Sequence, residues 1–349
     1  MKIYKDIFEK IISLENLFSA WDNFKKGKQK KKDVRKFEWE LEQNIFQLHG
    51  ELRRCAYKHS SYSSFFIQDP KQRHIHKAEV RDRILHHAIF TVLNPIFEET
   101  FFANSFSCRI GKGTHKGVIA LEKMIRKESE NYSKDCYILK CDISKFFDTI
   151  DHQILINILR KRIKDKNALW LLREVIESFS SSKSDIFNVR GVPIGNLTSQ
   201  IFANIYMNEL DQYIKHELNI KHYARYTDDF VIVGDDLKCL QDTLQHISIF
   251  LKEKLGLELH PRKVTIQKYN QGIDFLGYIS FPHYRLVRTK TKRRVYRKLK
   301  KRIVEHKTGK INRQSLDQCF QSYLGVLSHA DTFVFSRDLK NKFWFWLND

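Results

Sequence analysis

The stretch His222-Tyr-Ala-Arg-Tyr-Thr-Asp-Asp-Phe-Val-Ile-Val-Gly234 sets two adjacent carboxylates, Asp228 and Asp229, between an aromatic-rich run and the apolar run 230–233. Apolar and aromatic residues punctuated by Asp and Gly predict two short strands meeting in a tight turn. Asp tolerates the left-handed backbone such a turn can require. Neighbouring like charges on a buried hairpin are costly unless a cation neutralises them. Magnesium, a hard ion that takes oxygen ligands, answers that need best. Taken alone, the stretch equally admits a water-exposed Asp-Asp turn.

The surrounding composition narrows the choice. Among 349 residues, 62 Lys+Arg stand against 41 Asp+Glu, a formal net charge of +21. A surplus of that size implies a polyanionic partner, nucleic acid first. No uncharged apolar run reaches membrane-spanning length, so an integral membrane protein is not expected, and no membrane is expected among its partners. The first residues, Met-Lys-Ile-Tyr-Lys-Asp, lack a secretory apolar core. Six cysteines, at 55, 108, 136, 141, 239 and 319, form no CxxC pair and read as reduced, mostly buried thiols of a cytoplasmic protein.

Outward from the quoted stretch, Tyr137-Ile-Leu-Lys-Cys-Asp142 reads as a buried strand ending in a carboxylate. The segment 191–200, Gly-Val-Pro-Ile-Gly-Asn-Leu-Thr-Ser-Gln, is a small polar loop feeding an apolar-faced helix. Segments 154–163 and 238–255 carry helical spacing, and 256–267 and 273–280 read as strands. Phe65 to His76 predicts two strands joined at Asp69-Pro70, with Lys71, Arg73, Arg81 and Arg83 as a cationic cluster able to hold phosphates or to be simply solvated. Residues 106–115 form a Gly-punctuated basic loop before a helix at 115–127, without Walker A spacing. Towards the N-terminus, 1–24 and 37–52 show helical periodicity around a lysine-rich run at 25–32. Between Arg285 and Arg313 lie 14 Lys+Arg and one acid, Glu305. Within that segment, 290–306 places Val295, Tyr296, Leu299 and Ile303 on one stripe of a basic helix, suited to a phosphate backbone.

If Asp142 converges with Asp228 and Asp229, the three carboxylates can bridge two magnesium ions, one at a 3′-hydroxyl and one at a leaving pyrophosphate. Here the chain resembles the reverse transcriptases. Tyr226-Thr-Asp-Asp229 matches that family's Tyr-x-Asp-Asp box, and the other motifs follow in order. Residues 65–89 resemble the fingers motif, 93–115 the block after it, and 142–151 the first palm carboxylate motif. Segment 191–211 resembles the loop and helix behind the nucleotide. His260-Pro-Arg-Lys-Val-Thr265 resembles the lysine motif near the pyrophosphate, and Ile273-Asp-Phe-Leu-Gly-Tyr278 the primer grip. The similarity spans about residues 60–345.

The resemblance implies an α+β right-hand polymerase fold. It implies a helical extension at 1–60, fingers at 61–135, a palm at 136–284 with fingers-associated helices at 151–190, and a thumb at 285–349. It implies an RNA-directed DNA polymerase working with two Mg2+ ions, for which Mn2+ can substitute. Asp142, Asp228 and Asp229, with the Ile143 carbonyl, would be the metal ligands. Phe147 would be the gate against a 2′-hydroxyl, and Lys263 the general acid for pyrophosphate. Lys71, Arg73 and Arg109 would meet the incoming dNTP or the template, as would Ile194, Gly195 and Gln200. The partners implied are an RNA template, an RNA/DNA duplex and dNTPs.

One departure refines the resemblance. Where many reverse transcriptases have Gln-Gly-x-x-x-Ser-Pro, this chain reads Ile194-Gly-Asn-Leu-Thr-Ser-Gln200. That version, with Arg81-Asp-Arg-Ile-Leu-His-His-Ala88, resembles the enzymes of diversity-generating retroelements, bacterial or phage-encoded. Those copy a template repeat with errors at adenines, aided by a structured RNA and a small basic accessory protein. An apolar side chain replacing an amide near the nucleotide would loosen pairing. The alternative is an antiviral-defence enzyme with its own noncoding RNA. A full intron maturase is not expected, because no Cys/His endonuclease spacing or DNA-binding domain follows Trp346.

Overall fold

The computed structural model describes residues 2–68, 72–182, 184 and 188–349. Its organising element is a four-stranded antiparallel sheet whose strands lie in the order 222–226, 229–234, 137–142 and 265–268, accompanied by a two-stranded and a three-stranded sheet. In chain order, β1 is Ser63–Ile67, β2 Arg73–Lys77, β3 Tyr137–Asp142, β4 His222–Tyr226 and β5 Asp229–Gly234. The remainder are β6 Thr265–Lys268, β7 Ile273–Phe275, β8 Tyr278–Ser280 and β9 Arg285–Val287. With long helices throughout, the class is α+β.

The central strands are apolar on both faces because both faces are covered. Ile138, Val231 and Val233 pack with Leu121, Met124 and Ile125 of the helix Thr114–Glu128. The alternate residues Leu139, Cys141, Phe230 and Ile232 enter the main core with the helices Leu197–Gln212 and Leu237–Leu255. This is the period-two alternation of a pleated strand. Asp142, the last residue of β3, is thereby delivered to the edge of a dry core.

The N-terminal segment folds as Phe8–Ile12, Leu14–Lys25, Lys32–Trp39 and Leu41–Arg53. Helical spacing at 37–52 is therefore interrupted at Glu40, outside both helices. These helices bury Leu17, Trp21, Val34, Ile45 and Leu48 in the same core as the helix Val80–Glu98. Three C-terminal helices, Thr289–Lys307, Arg313–Leu327 and Phe333–Asn348, close a separate cluster around Leu299, Ile303, Leu316, Leu339 and Phe343. Val295, Leu299 and Ile303 are buried as the stripe predicts, and Arg293, Arg297, Lys300, Lys301 and Arg302 are exposed.

Three expectations change. Segment 273–280 is a hairpin: Leu276 (φ 49°) and Gly277 (φ 96°) form a two-residue turn between β7 and β8, both left-handed as a type I′ turn demands. In 256–267, the named strand begins only at Thr265. Of the cysteines, all unpaired, only Cys136 and Cys141 are buried. No helix among the described residues is long and apolar enough to cross a membrane.

Candidate active site

The β3–β5 register places Asp142 directly opposite Asp229, and β4–β5 pairs Tyr226 with Asp229 across the turn Thr227-Asp228. The backbone ties the same residues, since Ile143 N–H donates to the Asp228 carbonyl at 3.3 Å. Carboxylates 86 residues apart in sequence thus meet at one end of one sheet. Asp228 is pushed up to about 6 by burial first, then by the charges of Asp229 and Asp142, with Lys263 acting against them. Burial and like charge at this end of the sheet thus both disfavour the ionised form of Asp228.

Lys263 reaches this group from a turn. Its N–H donates to the His260 carbonyl at 3.0 Å, His260 N–H donates to the Asp142 carbonyl at 2.8 Å, and Lys263 Nζ then lies 2.9 Å from Asp142 Oδ1. Among the described residues no three or more His, Cys, Asp or Glu side chains gather as a ready-made metal site. Asp142 is turned to the ammonium. The donor chemistry still fits a hard divalent cation: three carboxylates, one of which, Asp228, resists ionisation through burial and like-charged neighbours.

Phe147 lies in the short helix Phe146–Thr149, half-buried with its ring 5.3 Å from that of Phe146. Its carbonyl accepts from Val192 N–H at 2.8 Å, and Ile150 O accepts from Gly191 N–H at 2.8 Å, so the loop 191–200 is laced to the Phe147 segment. On its other side the loop meets the β1–β2 hairpin. His76 N–H donates to Ile194 O at 3.1 Å. Gly195 has φ 120°, and a Cβ there would come 3.0 Å from Ile75 Cγ2. Ile194 is half-buried, while Gly195 and Gln200 are exposed. Phe147, Ile194 and Gly195 thus belong to one connected neighbourhood, and Gln200 follows in the helix Leu197–Gln212.

The cations singled out in the sequence divide. Arg73 is exposed at the start of β2, and Lys71 lies outside the described residues. Arg81 pairs with Glu51 and Arg83 with Asp33, both at 2.7 Å, which makes them braces onto the N-terminal helices rather than free phosphate donors. Arg109 also faces inward. It holds Glu98 at 2.7 Å through Nη2 and donates through Nη1 to the carbonyls of Phe102 and Ser105. Its side chain is 6% exposed, so in this structure it supports the block 98–109 and presents no donors to a cleft.

Sequence reasoning passed over a buried ion pair behind the turn. Arg225 and Asp211 are both fully buried and joined through two bonds, Nε to Oδ1 at 2.7 Å and Nη2 to Oδ2 at 2.5 Å. Tyr223 donates its hydroxyl to the same Asp211 Oδ1 at 2.7 Å. The signal was present as opposite charges set inside two apolar runs.

Comparison with known proteins places the chain among relatives. The family described as reverse transcriptase (RNA-dependent DNA polymerase) matches residues 67–280. Protein YkfC of Escherichia coli (strain K12) is 26% identical over 234 residues, covering 57% of this chain and 60% of that protein. The group II intron-encoded protein LtrA of Lactococcus lactis subsp. cremoris is 22% identical over 331 residues, 76% of this chain and 51% of its own length. A putative COX1/OXI3 intron 2 protein of Saccharomyces cerevisiae is 26% identical over 239 residues, with 28% of its length covered. The chain spans less than two thirds of each of these relatives.

Proposed function

The chain belongs to the reverse transcriptase family, whose right-hand polymerase fold its α+β architecture matches, and from that premise we propose that it copies RNA into DNA by metal-dependent nucleotidyl transfer. The observation that carries this reading is the register that sets Asp142 across from Asp229, one residue from Asp228. Asp142, Asp228 and Asp229, with the Ile143 carbonyl, would hold the divalent cations, Mg2+ or Mn2+. Bound there, the cations would activate the primer 3′-hydroxyl and offset the charge on the departing pyrophosphate.

The protein's own part is positioning and proton supply. Lys263, already beside Asp142, would give its proton to the leaving pyrophosphate. Phe147 would sit where a ribose 2′-hydroxyl must be refused. The loop Ile194–Gln200, braced between Phe147 and β2, would back the incoming dNTP. Lys71 and Arg73 would meet its phosphates or the template, a role Arg109 could take only by leaving Glu98. The exposed cations of Thr289–Lys307 would hold the template–primer duplex by its backbone, a shape-based grip.

The finer role we propose is error-prone copying in a diversity-generating retroelement, with a structured RNA and a small basic accessory protein as partners and a bacterial cytoplasm as the setting. It rests on Ile194 standing where an amide would otherwise be. The test is the misincorporation spectrum on a mixed RNA template. Wild type should misincorporate chiefly opposite adenine, and Ile194→Gln should reduce those errors. An unchanged spectrum would refute the role. The names of LtrA and the yeast relative favour a second reading, an intron-encoded reverse transcriptase; sequencing the RNA that co-purifies with the chain separates the two.

A further inference from the structure

Thr227, the residue before the two turn carboxylates, has φ 58°, the left-handed region that a β-branched side chain strongly disfavours. Such a conformation persists only where the surroundings over-determine it. The surroundings here are specific. Arg225 Nη1 donates to the Thr227 carbonyl at 3.1 Å while its other two donor nitrogens grip Asp211. The Thr227 hydroxyl donates to Ser107 Oγ at 2.5 Å, and the Ser107 carbonyl accepts from Asn204 Nδ2 at 2.9 Å. Asp211 and Asn204 both belong to the helix Leu197–Gln212, which starts at the loop 191–200.

The backbone of Arg225 is equally fixed. Its N–H donates to Asn104 O and its carbonyl accepts from Phe106 N–H, both at 2.9 Å. The guanidinium therefore has no freedom to drift. A single planar fork, fully buried, joins the helix behind the nucleotide loop to the strained residue of the carboxylate turn. A lysine in its place could satisfy Asp211 or Thr227 but not both, because it lacks the fork.

We propose that Arg225, anchored by Asp211, is a positioning residue: by holding the Thr227 carbonyl it fixes the aim of Asp228 at the divalent cations. This rests on the reading of Asp228 as a cation ligand given above. A purely structural pair would contribute to folding alone, whereas a positioning pair also sets cation affinity in protein that remains folded.

The test uses the full chain as wild type, Arg225→Lys and Asp211→Asn, with Mn2+ binding measured by calorimetry, thermal melting, and primer-extension kinetics. Arg225→Lys should weaken Mn2+ binding roughly ten-fold, the scale of a lost charge-assisted bond, with the KM for template–primer unchanged. Asp211→Asn, which keeps the side-chain shape, should weaken it in the same direction by less. If Arg225→Lys does not fold, the Mn2+ affinity of Asp211→Asn decides between the two roles. Folded variants with lower melting temperatures and wild-type Mn2+ affinity would overturn the inference while leaving the proposed function intact. Absence of Mn2+ binding and extension in the wild type would overturn both.

Discussion

The ammonium of Lys263 lies 2.9 Å from Oδ1 of Asp142, so one of the three converging carboxylates is already neutralised by a cation of the protein itself. That contact must be shared or surrendered when a divalent ion arrives. Replacing Lys263 by Met should lower the Mg2+ concentration needed for half-maximal extension. The same change should reduce the maximal rate by about 10²-fold, as loss of a general acid does. Steady-state extension against Mg2+ concentration reads both, and an unchanged maximal rate would remove Lys263 from the chemistry.

Gly195 has a second consequence for the loop 191–200. At φ 120°, with Ile75 Cγ2 only 3.0 Å from where a Cβ would stand, Gly195→Ala must strain the loop and press on β2. The cost should be about 1–2 kcal/mol, a melting temperature lower by a few degrees, accompanied by a raised KM for dNTP. A raised KM is the distinguishing result, because a loop remote from the nucleotide would show only the melting change.

Arg109 offers the opposite separation. With its guanidinium spent on Glu98 and two carbonyls, Arg109→Ala should cost about 2 kcal/mol of stability and leave the KM for dNTP unaltered. A large rise in KM with normal melting would instead return Arg109 to the role the family resemblance gave it.

Asp142, Asp228 and Asp229 were readable because each ends or interrupts a short apolar run, and such runs become strands whose ends lie at a sheet edge. The basic helix was readable from the stripe of Val295, Leu299 and Ile303. The pairing of Arg225 with Asp211 was not, since a charge in a buried strand declares a need for a partner without naming it. The ion pairs of Arg81 with Glu51 and Arg83 with Asp33 were hidden for the same reason: a sequence shows a cation but does not report which carboxylate has claimed it. The break at Leu276-Gly277 escaped notice because Leu rarely adopts a positive φ outside a tight hairpin.

The interface between the N-terminal helices and the Val80–Glu98 helix should be sensitive to acid. His87, stacked edge-on against Phe24, is held down to about 4 by burial and then by Lys28 and Arg83. His86, fully buried beside His59, is lowered by burial and then by His59, His87 and Arg83. A histidine depressed in the folded state binds fewer protons folded than unfolded between its two pKa values. Its contribution is therefore complete above about pH 6.5 and lost as pH falls towards 4. Because His87 is only half-buried and solvent screens it, its share should be about 1–2 kcal/mol. Melting temperature against pH should fall across that window, and His87→Asn should flatten the slope.

The central claim is that the carboxylates brought together at the ends of β3 and β5 carry out RNA-templated DNA synthesis. Extension of oligo(dT) on poly(rA) with Mg2+ and dTTP, comparing wild type with Asp228→Ala of equal melting temperature, tests it directly. Wild type should extend the primer and Asp228→Ala should not. Undiminished extension by Asp228→Ala, or none by folded wild type in either Mg2+ or Mn2+, would contradict the assignment.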